Sequence, residues 1–149
     1  MRFVAIAAAA VLFLPCVHAY GASEKLPDPQ ALLLLEAKAA QASPKEQCFL
    51  YAEIVHDMTE IAGQEMSSGD FRHASETLKA VQAYAQKIHM GMAEDTRKLK
   101  NAEILMRHTA FRLNEILHSA GLDDRPTLEA TLKQLDQVQT ELMMQVFKH

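Results

Sequence analysis

The chain has 149 residues, a formal net charge of −4, five glycines, six phenylalanines and no tryptophan. Its length suits one domain, and a mildly acidic chain is a poor nucleic-acid binder, because phosphate contacts need clustered cations. Ala, Leu, Glu, Gln, Lys and Met dominate and β-branched runs are missing, so an all-α domain is expected.

Residues 1–19 read as a secretory signal peptide. Arg2 supplies the charged start, residues 3–14 are an unbroken apolar run, and Val17-His18-Ala19 ends in small residues that a signal peptidase accepts. The run is too short for a membrane span, and no later stretch reaches the ~18 apolar residues that one needs. Cys16 invites lipidation, but Pro15 stands where that processing needs a small, flexible residue. The expected location is therefore outside the cytoplasm, periplasmic or secreted, with no membrane insertion after cleavage. Cys48 is then the one remaining cysteine, so no internal disulfide is expected and packing alone must hold the core.

Residues 20–28 read as a mobile mature terminus. Asp28 and Pro29 are an N-cap and a first helical position, opening a short Leu- and Ala-rich helix over about 29–41. Ser43-Pro44-Lys45-Glu46 has the form of a capping box, with Ser43 bonding the third amide onward and Glu46 reaching back. The helix it opens, about 44–68, carries Cys48, Tyr51, Ala52, Val55, Met58, Ala62 and Met66 on one side. Gly69 ends it in a left-handed turn, and Asp70 caps the next helix.

From Ala74 onward, apolar or small residues recur in alternating steps of four and three: Leu78, Val81, Ala85, Ile88 and Met92, then Asp95 out of character, then Leu99, Ala102, Met106, Thr109, Leu113, Ile116 and Ala120. That is a 3.5-residue period held for roughly six heptads. Gly91 is the candidate break, with Asp95 or Thr96 capping a second piece. The register crosses Gly91 without a skip, and Glu94 with Lys98 and Glu103 with Arg107 are favourably spaced pairs. One helix over about 71–120 is expected, roughly 75 Å long at ~1.5 Å per residue. Gly121 and Leu122 should close it in a Schellman turn, and Asp123-Asp124-Arg125-Pro126 should open the last helix, about 125–147.

Gly69-Asp70-Phe71, followed by Ala74 and Leu78, resembles the hairpin of a tetratricopeptide (TPR) unit, across about 51–87. The pattern does not recur at the ~34-residue repeat of such arrays. The resemblance therefore implies one helical hairpin of that shape, without the peptide-binding role. As a whole the chain looks like the exported helical proteins of bacteria. The expected architecture is an antiparallel helical bundle over 29–149, built on the long helix, with the 44–68 and 125–147 helices packed on its front and back halves.

Catalysis finds no support among the motifs: there is no G-x-S-x-G, glycine-rich phosphate loop or H-E-x-x-H, so no enzyme activity and no cofactor is expected. Asp123 and Asp124 read as caps beside a positive dipole end, and Arg97, Lys98 and Lys100 as a solvated face. The chain holds seven histidines and eight methionines, all but one of each beyond the leader. Export with such residues makes a copper(I) site, or a haem-binding bundle, the alternative, with Cys48, His89 and Met92 as ligands brought level by an antiparallel hairpin; core filling is the simpler role for Cys48 and Met92. Ile104 and Phe111 fall outside the seam and form a second apolar stripe. That stripe needs cover from the Leu32 helix, from another copy or from a partner protein, and it makes a non-catalytic interaction or structural module the leading reading.

Overall fold

The computed structural model describes residues 26–91 and 98–148, and the backbone alone at 89–91. Residues 1–25, with the expected signal peptide, lie outside them, as do Met92, Glu94, Asp95, Thr96 and Arg97. The described chain is all-α and its helices are packed together: α1 (Pro29–Gln41), α2 (Pro44–Ser67), α3 (Phe71–Gly91), α4 (Leu99–Ser119) and α5 (Arg125–Phe147). None of them is long and apolar enough to cross a membrane.

The helix ends follow local chemistry, with two departures from expectation. Asp28 accepts the Gln30 amide at 3.2 Å and opens α1. Gly69 takes φ +82°, the Asp70 amide bonds the Glu65 carbonyl at 2.8 Å, and the Gly69 amide bonds Met66 at 3.1 Å. This is the complete Schellman pair, and Asp70 then accepts the His73 amide at 3.3 Å to start α3. Ser43 precedes α2 but its side chain makes no cap bond, and Glu46 turns to Lys98 instead, at 3.8 Å. The capping box is not formed. The α1–α2 corner is closed by the Gln47 side-chain amide donating to the Ala39 carbonyl at 3.1 Å. Gly121 does not adopt positive φ; α4 is ended by Ala120 going extended, at ψ 148°, so no Schellman turn forms there either.

The expected long helix is two helices running in opposite directions. The α2–α3 turn makes that pair antiparallel, and Thr77 bonds Glu65 across it at 2.8 Å. Helix α4 runs parallel to α2: Lys98 meets Glu46, His56 meets Thr109 and Arg112 meets Glu60 along its length. Helix α2 has 24 residues, about 36 Å. A single 75 Å rod packed along α2 by its first half would have carried Arg112 far beyond Glu60. The unbroken register misled because the step from Ile88 to Leu99 keeps the four-three-four count while the chain reverses. Folding back places both seams in one core instead of leaving each half partly wet, and apolar area removed from water is the dominant favourable term.

Two hairpins, α2–α3 and α4–α5, therefore stack side by side. Helix α2 touches α3 and α4, α5 touches the same two, and among the described residues the diagonal pairs do not meet. Val55, Leu78, Val81, Ile88, Met106, Leu113, Leu128, Leu135 and Leu142 fill the shared core. Helix α1 covers a different face. Its Ala39 joins Leu50 and Ile54 in a second cluster flanked by Leu32 and Leu35, and its Glu36 accepts the Tyr84 hydroxyl at 3.0 Å.

Candidate interaction surface

The outer face of the α4–α5 hairpin is the side turned away from α2 and α3. Buried positions of α4 (Leu99, Ala102, Met106, Thr109, Ala110, Leu113, Ile116) and of α5 (Leu128, Thr131, Leu135, Val138, Leu142) point inward. What remains outside is apolar in part: Phe111 is 66% exposed and Ile104 36%. Seven residues apart, they share one side of α4. Phe111 lines a groove of about 270 Å³ with Arg107, Ala110 and Asn114 of α4 and Leu132, Asp136 and Gln139 of α5. The Gln139 side-chain amide donates to Glu103 at 3.2 Å, and Arg107 pairs with Glu103 at 3.6 Å. Asp136 has no ion-pair partner among the described residues, and the groove therefore holds a cation and an unmatched anion beside its apolar floor.

Helix α1 does not cover this face. It packs on α2 and, through Glu36, reaches α3. Of the covers foreseen for the Ile104 and Phe111 stripe, the Leu32 helix is thus removed.

Cys48 is 4% exposed within the shared core, and burial pushes its thiol up to about 11. A metal-binding cysteine is a thiolate, favoured by exposure and nearby positive charge, so this setting opposes ligation. The other expected ligands, the His89 side chain and Met92, lie outside the described residues, and the described residues contain no group of three His, Cys, Asp or Glu side chains able to hold a metal ion. Of the basic cluster, Lys98 is tied to Glu46 and sits 5.5 Å above the Phe49 ring, Lys100 is exposed, and Arg97 is outside the described residues. Asp124 precedes α5 without a side-chain cap bond.

Two polar features have no counterpart in the sequence reading. Along α2 and α4, Thr109 donates to the Leu105 carbonyl and so must accept from His56 Nδ1–H, at 3.0 Å. One turn on, Arg112 Nε donates to both Glu60 oxygens, at 3.2 and 3.1 Å. Across α3 and α5, the Gln82 amide donates to Thr131 at 2.7 Å while Gln134 donates to the Gln82 carbonyl at 2.9 Å. These pairs set the register between the hairpins. The second feature is an aromatic pair, Tyr51 and Tyr84, with ring centres 5.9 Å apart and the Lys87 ammonium 4.5 Å over Tyr84. Burial, with the bond to Glu36, pushes the Tyr84 phenol up to about 12. Buried polar side chains become visible only when the facing helix is known, and the polar residues carry no spacing motif of their own.

Among protein-family models, curated proteins and solved structures, nothing matches this chain.

Proposed function

We propose that this chain is an exported, non-catalytic helical module that works by binding another protein chain through the outer face of its α4–α5 hairpin. The observation that carries the reading is Phe111, two-thirds exposed on a groove that α1 leaves open. A lone exposed apolar residue needs no explanation. Here Phe111 shares a groove with Leu132 and a helix face with Ile104, and such grouped apolar surface is how helical modules take up partner helices. The groove also has charged and amide groups at its edges, the make-up of a non-obligate interface and not of a core left bare. Export rests on the signal-like residues 1–19, and the bundle supplies a rigid platform braced by α1.

The test is a photo-crosslinking amino acid placed at Phe111 in the full chain, in cells that export it, against a control at Lys79. Lys79 is exposed on α3, which does not touch α4. A discrete protein adduct at 111, absent at 79 and carried by the processed chain in the envelope or medium, is the expected result. No adduct at 111, or equal adducts at both positions, rejects the reading.

A further inference from the structure

We propose that the occupant of the α4–α5 face is a second copy of this chain, docked about a two-fold axis parallel to the helices. The inference rests on reading that face as an interaction surface and goes on to name what binds it. It follows from how residues are levelled across the hairpin. The Gln139–Glu103 bond fixes the register. Each step up α4 then matches a step down α5, so Arg107 lies level with Asp136 and Phe111 level with Leu132, as their shared groove requires.

A closed pair of identical faces can form about two in-plane axes. An axis across the helices lays α4 on its own copy and α5 on its own copy, so that Arg107 and Asp136 face different helix pairs. An axis along the helices lays α4 on the second copy's α5 at the same height. Arg107 then faces Asp136 of the other chain and Phe111 faces its Leu132, and each contact occurs twice. In this second arrangement apolar meets apolar and cation meets anion at the same time. The crossed helices run antiparallel, as α4 and α5 already do within one chain.

The face is also large enough. Helices of 21 and 23 residues lying ~9 Å apart offer a flat footprint on the order of 600 Å². Side-chain relief raises the accessible area towards the ~800 Å² per partner of a stable interface. Asp136, without an ion-pair partner among the described residues, gains a cation in the complex, and Arg107, itself largely exposed beside the mostly buried Glu103, can extend to it while Gln139 still donates to Glu103.

Sedimentation equilibrium of the mature chain tests this, with helical ellipticity confirming that each variant folds. The wild type should be a dimer and Phe111→Glu a monomer. Arg107→Glu and Asp136→Lys should each weaken association by about tenfold or more, since each places like charges together twice. An equimolar mixture of the two single variants should recover association, because both cross-chain pairs become opposite in sign in the mixed dimer. A monomeric wild type at millimolar concentration overturns the proposal. So does a dimer indifferent to Phe111→Glu, or single variants whose mixture associates no better than either alone. A crosslink from position 111 to a different protein, with a monomeric wild type, removes the self-association and leaves the interaction role standing.

Discussion

At the scale of the residue, Cys48 separates the chemistry a side chain allows from the chemistry its surroundings permit. By identity alone, in a chain rich in methionine and histidine, its thiol is a reasonable soft-metal ligand. Packed at 4% exposure in the shared core, it is a small apolar filler. Burial raises its pKa from the ordinary 9.0 to about 11, which at neutral pH lowers the thiolate fraction about 100-fold. A thiol reagent should therefore label the native chain at least about 100-fold more slowly than the unfolded one, with steric burial adding to the difference. The linkage has a definite sign. Folding favours the neutral thiol, so its contribution to stability is intact below pH 9, where both states hold the proton, and is lost as pH climbs from 9 towards 11. Denaturation midpoints of wild type and Cys48→Ala should run parallel below pH 9 and converge above it. Fast labelling of the native chain contradicts the packing described here.

At the scale of the element, helix limits were readable wherever a residue acts on its own backbone. Gly69 and Asp70 end one helix and begin the next by bonds confined to residues 65–73. Ser43 and Gly121 have the right identities but different outcomes, because Glu46 is claimed by Lys98 from α4 and Ala120 goes extended before Gly121 is reached. One close approach between helices was not readable at all. Gly63 lies mid-helix in α2, where propensity alone makes glycine a defect of roughly 1 kcal/mol relative to alanine. The reason for it is α4: a Cβ at Gly63 would come within 2.9 Å of Ile116 Cδ1. That atom is the free end of a side chain and can move by a few tenths of an ångström. Gly63→Ala should accordingly be within about 1 kcal/mol of wild type, the helix gain offsetting the Ile116 shift. Gly63→Leu cannot be absorbed by one methyl group and should destabilise by about 1–3 kcal/mol through overpacking. Urea denaturation of both variants measures the difference. A Leu variant as stable as the Ala variant means that α2 and α4 are not in the contact described.

At the scale of the whole molecule, composition and period were enough for an all-α chain but not for its path. A repeat of four and three tells which residues face inward, and it identified the inner face of α3 and α4 alike, as well as Ile104 and Phe111 as residues left outside it. It carries no direction, and a reversal that preserves the count is silent. What does carry direction is a set of long-range polar pairs, His56 with Thr109, Glu60 with Arg112 and Gln82 with Thr131, and these are recognised only once the hairpins are placed side by side. One distance decides between the two paths. Glu76 on α3 and His118 on α4 are both exposed. In a continuous helix they are ~63 Å apart at ~1.5 Å per residue. In the stacked hairpins Glu76 lies at the level of Met66, by the Glu65–Thr77 bond, and His118 lies near that same level, by the Gly63–Ile116 approach. Diagonal helices in a four-helix array have axes about 14 Å apart, and spin labels at their surfaces fall at about 20–30 Å. Pulsed electron resonance on Glu76→Cys/His118→Cys, in a Cys48→Ala background, should give a single short distance. The dimer proposed above adds longer inter-chain distances, which dilution with unlabelled chain removes while the short one persists. A dominant distance near 60 Å restores the straight rod, and with it α2 loses its second neighbour and the α4–α5 face its geometry.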